Sequence, residues 1–206
     1  MAEGRTVPDS SRRNPTARRA ILAAALDVVR EVGYAKLSIE GIAARAGVGK
    51  QTIYRWWPSK GAVLFDAFLT LSESRDGEVE ALPDTGDLEA DLKLVLRATV
   101  AELNDPRYDE PMRALSTEIA HDPALAADYA ERLDGPLKQL KQERLRSAQR
   151  DGQLAENLDL DIAIEMMWGP LLNRWLHRSG PLTPDYTDQV VETALHGLRP
   201  RPYRGR

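Results

Sequence analysis

The segment that most constrains this chain runs from Ser38 to Lys60, SIEGIAARAGVGKQTIYRWWPSK. Ile39, Ile42, Ala43 and Ala46 recur at i, i+3, i+4 and i+7, the spacing of one inward helical face, with Ser38 placed to cap the N-terminus. Gly47 ends that helix because glycine takes left-handed backbone at little cost, and Val48 can tuck under the corner before a second helix starts near Gly49. On this second helix Ile53 and Trp57 sit four apart and can close onto the first, while Gln51, Tyr54 and Arg55 point outward, flanked by Lys50 and Thr52. The spacing predicts helix, turn, helix. Its outer face carries a long cation, an amide, a phenol and a guanidinium, which bond to base edges and phosphate oxygens when a helix lies in the major groove of DNA. A polar face alone is more often just solvated surface; the small-residue turn, the apolar spacing and the basic face together point to DNA.

The charge distribution agrees. The formal net charge of -4 argues against a general nucleic-acid binder, but residues 1–60 hold 11 Lys or Arg against 5 Asp or Glu, and residues 61–206 hold 17 against 27. A basic end on an acidic body suits a head that meets phosphates, with binding that weakens steeply in salt.

From about Thr16 to Phe68, and most specifically in IAARAGVGKQTIYRWW, the PSK that follows and the apolar run GAVLFDAF, the chain resembles the TetR family of transcriptional regulators. The resemblance implies a head of three helices plus the start of a fourth, with the third helix reading an operator. It implies that Ser38 contacts a phosphate, that Lys50, Gln51 and Thr52 face bases, that Tyr54 and Trp56 contact sugar and phosphate, and that Lys60 holds a further phosphate. Trp57 falls at a core position of the family. Trp56 stands where the family more often has His or Tyr.

Along the rest of the chain the fold reads as all-α: no stretch sustains the alternation of a strand. Residues 1–15, with Arg5, Arg12 and Arg13 among Gly, Pro and Ser, read as a flexible arm; residues 16–71 as the helix-turn-helix head with its connecting helix; residues 72–206 as a helical regulatory and dimerisation domain. In the first helix Ile21, Ala25, Val28, Val29 and Val32 form the apolar stripe that floors the head. In the body, helices are predicted over Leu88–Leu103, from Pro111 to about Ala120, and from Pro123 to about Gln149 with an interruption at Gly135 and Pro136. Two more follow, from Asp159 to about Arg178 with a bend at Gly169 and Pro170, and over Pro184–Leu198, before a Pro and Arg tail.

The last two long helices are apolar over more than one face, which favours a homodimer, and the resemblance implies pairing through those same two helices. Two-fold symmetry would then set two heads on a palindromic duplex. Phe68, Met112, Leu115, Tyr129, Leu133, Met166, Trp168 and Trp175 are by type packing residues; the resemblance implies that the body also holds a small-molecule cavity, for which they are the candidate lining.

Catalysis has little to build on. Glu118 and His121 have the i, i+3 spacing of a helical metal pair, and His121–Asp122 is an HD dipeptide, but no second pair completes a di-metal site. HExxH, GxSxG and a phosphate-binding glycine loop are absent from the sequence. Without cysteine, disulfides and thiolate zinc sites are excluded. No apolar run approaches the ~20 residues that span a bilayer, so a cytoplasmic protein without membrane contact is expected. The expectation is therefore a non-enzymatic, cofactor-free homodimer that binds a double-stranded operator as a repressor and is released by a small-molecule effector. The rivals are a regulator controlled by a protein partner and an α-helical metal-dependent hydrolase using Glu118, His121 and Asp122.

Overall fold

The computed structural model describes residues 15–76 and 81–199, and among them every regular element is helical. The arm expected over residues 1–15 lies, except for Pro15, outside the described residues, as does the tail after Arg199. Helix α1 (Pro15–Val32) is followed by a tight turn at Tyr34–Lys36, then α2 (Ile39–Ala46), α3 (Lys50–Tyr54) and α4 (Lys60–Asp76). The body comprises α5 (Leu88–Leu103), α6 (Pro106–Ile119), α7 (Pro123–Tyr129), a π-helical turn (Ala130–Asp134), α8 (Gly135–Arg150), α9 (Leu160–His177) and α10 (Pro184–Leu198).

Local chemistry sets most boundaries. Ser38 Oγ accepts from the Gly41 N–H at 3.1 Å at the start of α2. At its end Gly47 adopts φ 67° and the Val48 N–H reaches back to the Ala43 carbonyl at 3.0 Å, which satisfies a carbonyl the helix would leave open. Asp87, Asp105, Asp122, Asp159 and Thr183 cap α5, α6, α7, α9 and α10 in the same way as Ser38, each accepting from backbone N–H groups of the first turn.

Two prolines behave differently from the sequence expectation. Helix α6 begins at Pro106, not at Pro111, because Asp105 caps it and proline suits the first helical position. Pro111 lies inside the helix and has no N–H for the Arg107 carbonyl, and that carbonyl instead accepts from Arg30 Nη2 of α1 at 3.3 Å. The interruption expected at Gly135 and Pro136 is a single π turn just before them, and Pro170 lies within α9, as expected of a residue that bends a helix without ending it. Helix α3 ends at Tyr54, so Trp56 and Trp57 lie on the turn after it. Helix α4 extends to Asp76, past Leu71, where the connecting helix was expected to end.

Three apolar clusters hold these helices. Ile21, Val29, Ile42, Ile53, Trp57 and Leu64 form the centre of the head. Leu96, Leu145, Met167, Leu171 and Val191 bring α5, α8, α9 and α10 together in the body. Between them Phe65, Phe68, Tyr108, Leu115 and Leu125 form a third cluster. Helix α4 is buried on two sides, giving Val63, Leu64 and Ala67 to the head and Phe65 and Phe68 to the middle cluster. Helix α6 also reaches the head, where Ala114 is buried. Among the described residues no helix is long and apolar enough to cross a membrane.

Candidate nucleic-acid interface

Helix α3 presents opposite faces to the core and to solvent. Ile53 is fully buried and Trp57 nearly so, and the Trp57 N–H bonds to the Ile53 carbonyl at 3.0 Å, continuing the helical pattern past Tyr54. On the other side Lys50, Gln51, Tyr54 and Arg55 are exposed, Tyr54 by 52%, and Thr52 is half-buried. Of the predicted base-facing side chains, Lys50 and Gln51 share an accessible ridge with Tyr54 and Arg55, and Thr52 is only partly accessible, on a helix bolted down from behind.

The predicted phosphate ligands surround it. Ser38 is occupied by its cap. Lys60 Nζ donates to the Leu37 carbonyl at 3.2 Å and stands 4.2 Å from the centre of the Tyr34 ring, so in this state its cation braces the head. Trp56 is half-buried and stacks on Trp57 with ring centres 5.7 Å apart. Lys50 Nζ lies 3.0 Å from Glu40 Oε1 of α2; this hydrogen bond lowers the Glu40 pKa and raises that of Lys50. Arg45, at the end of α2 and absent from the sequence prediction, is exposed and engages Glu31 through two hydrogen bonds.

Behind the ridge sits a carboxylate that no local motif announces. Asp66 Oδ2 accepts from Trp57 Nε1 at 2.9 Å and from Arg18 Nη2 at 2.6 Å, and Asp66 Oδ1 lies 2.9 Å from Arg132 Nη2. Burial opposes ionisation of this group, but the Trp57, Arg132 and Arg18 donors outweigh it and hold the carboxyl below the usual range.

The residues predicted to line a ligand cavity divide between clusters. Phe68 and Leu115 are buried in the middle cluster, and Met112, Tyr129 and Leu133 pack against it. Trp168 and Trp175 belong to the body core, where Trp175 Nε1 donates to Asp109 Oδ1 at 2.6 Å and Lys141 Nζ lies 4.5 Å from the Trp168 ring centre. Met112 touches both groups. Met166 belongs to neither, being exposed on α9. One cleft of about 320 Å³ runs between the head and α7, past Trp56, Asp66, Leu125 and Arg132, and another of about 870 Å³ lies at the start of α5 beside Glu89, Lys93 and Arg199. Neither is lined by any of the residues predicted from the sequence to line a ligand cavity.

Two of the three residues weighed from sequence as a metal site are otherwise employed. His121 Nδ1 lies 2.8 Å from the Thr117 carbonyl, and Asp122 Oδ1 accepts from the Ala124 and Leu125 N–H groups. Among the described residues no group of three or more His, Cys, Asp or Glu side chains is arranged to hold a metal ion.

Comparison with known proteins gives this geometry a context. Residues 21–67 match the profile described as bacterial regulatory proteins, tetR family, and residues 82–194 match the tetracyclin repressor-like C-terminal domain. The chain is 32% identical over 182 residues, 88% of its length and 89% of the relative's, to the uncharacterized HTH-type transcriptional regulator YdeS of Bacillus subtilis. It is 29% identical over 186 residues, 89% of its length and 94% of the other, to the DNA-binding transcriptional repressor TetR of Mycobacteroides abscessus. The crystal structure of the TetR family transcription regulator SCO0332 superposes with a TM-score of 0.67 at 31% identity, covering 89% of this chain and 99% of that one. With the braced, exposed α3 and a match that extends through the body, this chain belongs to the TetR family of helix-turn-helix transcriptional regulators.

Proposed function

We propose that the protein is a homodimeric repressor that binds a palindromic operator in the cytoplasm and is released by a small ligand held in the body. The observation that carries the DNA-reading part is the exposed ridge of Lys50, Gln51, Tyr54 and Arg55 over a buried Ile53 and Trp57. Lys50, Gln51 and Thr52 face bases, and Ser38, Tyr54, Arg55, Trp56 and Lys60 hold the backbone. Pairing is supported by Ile162, Met166, Leu172 and Leu176, all exposed on α9 at helical spacing, a stripe that a second copy would cover. Repression is supported by the repressor relative from Mycobacteroides abscessus.

Two heads on a two-fold axis must reach successive major grooves, ~34 Å or a multiple apart. A ligand that prefers another packing of the body would tilt α4 and change that separation, by no more than its differential affinity for the two states. The ligand would insert at the middle cluster, where α4 meets Leu115, Tyr129 and Leu133.

Footprinting the protein on the DNA beside its own gene tests the reading. A protected palindrome whose base preference shifts in Lys50→Ala or Gln51→Ala is the expected result. An unchanged preference in both variants overturns the base contacts. Repeating the binding with a metabolite panel tests the ligand: a compound that binds the body and leaves operator affinity unchanged rejects the release mechanism.

A further inference from the structure

Gly135 and Pro136 together force a change of helical pattern between α7 and α8. Pro136 has no N–H with which to continue an α-helical ladder. The chain answers with one π turn over Ala130–Asp134, in which the Gly135 N–H donates to the Ala130 carbonyl. A Cβ at Gly135 would stand 2.8 Å from that carbonyl oxygen, so the turn requires a residue without one. Single π turns inside helices recur at functional positions because they re-aim a side chain.

Here the side chain is Arg132. Its guanidinium lies 5.1 Å from the centre of the Phe65 ring, pairs with Asp128 at 3.0 Å one turn back, and reaches Asp66 Oδ1 at 2.9 Å. The other oxygen of Asp66 holds Arg18 of α1 and the Trp57 indole, and Trp57 leads directly back to Ile53 of α3. Asp66 is only 13% exposed and receives charge-assisted donors on both oxygens, so it is a stiff joint between the π turn and the reading element.

We infer that Arg132 is a positioning residue for DNA reading: from the body it fixes the orientation of α3 through Asp66 and Trp57, and thereby the spacing at which two heads dock on one duplex. Loss of Arg132 leaves Asp66 its Arg18 and Trp57 donors. The head then stays folded and keeps its contacts to a half-site, but loses this tie to the body. The inference rests on α3 being the helix that enters the duplex.

The test uses the full chain and three duplexes: the palindrome selected by the wild-type protein from a random pool, the same palindrome with one base pair inserted at its centre, and a single half-site. The wild type should lose about tenfold on insertion, as expected when two linked heads no longer fit together. Arg132→Gln should hold the half-site within about twofold of wild type, while its loss on insertion shrinks to less than about threefold. Arg132→Lys, which keeps the charge, should restore discrimination. Gly135→Ala, which keeps the arginine and disrupts the turn, should behave like Arg132→Gln. The inference is overturned if Arg132→Gln and Gly135→Ala, both with wild-type circular dichroism, retain full spacing discrimination, or if Arg132→Gln weakens half-site and palindrome in equal proportion. A wild-type chain that selects no duplex at all would overturn the reading of α3 itself, and the inference with it.

Discussion

Arg144 of α8 and Asp91 of α5 meet inside the body at 2.8 Å with only 2% and 4% of their side chains exposed. Arg144 Nε also donates to the Pro83 carbonyl at 2.7 Å, and Asp91 accepts from the Thr85 N–H at 3.0 Å and the Thr85 hydroxyl at 2.8 Å. The pair therefore pins the segment before α5 to the body core. Asp91→Asn leaves the buried Arg144 with only the more exposed Asp84, 3.4 Å away, so we expect it to cost about 3 kcal/mol and Asp91→Leu with Arg144→Met much less. Urea denaturation of both variants checks this ordering.

The same carboxylate sets an acid limit on stability. Burial would raise the Asp91 pKa, but Arg144 and Thr85 lower it by more, and Asp66 is lowered in the same manner by its three donors. A folded-state pKa below the unfolded one means that the unfolded chain binds more protons in acid. This stabilisation is complete above the ordinary Asp range near ~4 and is lost as the pH falls through the folded-state values. Urea midpoints measured across a pH series should fall below about pH 4, and less steeply for Asp91→Asn.

At the turn between α2 and α3, Gly47 has φ 67°, and a methyl group added there would meet nothing within 4 Å, so its constraint is conformational, not steric. Gly47→Ala should lower head stability by about 1–2 kcal/mol, the cost of left-handed backbone for an L-residue. Thermal melts followed by circular dichroism, with operator affinity measured well below the transition, separate that cost from any change in DNA contacts.

On the proposed reading Glu40 competes with DNA for Lys50. Both are exposed and joined at 3.0 Å, so the carboxylate offsets the charge that the ammonium would offer to a phosphate or base edge. Glu40→Gln should tighten binding to duplexes of any sequence and steepen the salt dependence by about one ion, whereas Lys60→Ala should weaken all sites alike and reduce the slope by about one. Anisotropy titrations across a potassium chloride series measure both slopes.

On α9, Met166→Lys places a charge in the middle of the exposed Ile162, Met166 and Leu172 stripe without touching the core. We expect an unchanged helical signal with a monomeric sedimentation coefficient, and loss of cooperative binding to the palindrome. A dimer that survives this substitution and Ile162→Asp would place the pairing surface elsewhere.

The head was legible because its information is local. The Ser38 cap, the i, i+3, i+4 stripe and Gly47 each act within one or two turns, so helix, turn and outward ridge follow from the order of residues alone. The same holds for the all-α class. The start of α6 was not legible: Pro106 and Pro111 are both acceptable helix openers, and the choice was made by Asp105 together with a distant donor, Arg30, for the carbonyl that Pro111 leaves open. Nor could the apolar residues of the body be sorted from their types. Phe68 and Trp168 fell into different clusters, and Met166 into none, because burial depends on which helices come to face each other.

Asp66 marks the limit most clearly. Its place inside the apolar run GAVLFDAF points to burial, but nothing local names its partners, of which Arg18 lies 48 residues before it and Arg132 on the far side of α5, α6 and α7, with only Trp57 within 9 residues. Short-range capping and periodicity determined which face of α3 is free to meet a duplex. Only the packing of α1, α4 and the π turn against one another decided how that face is held, because a charge is stabilised by whatever donors the fold delivers to it, at any separation in sequence.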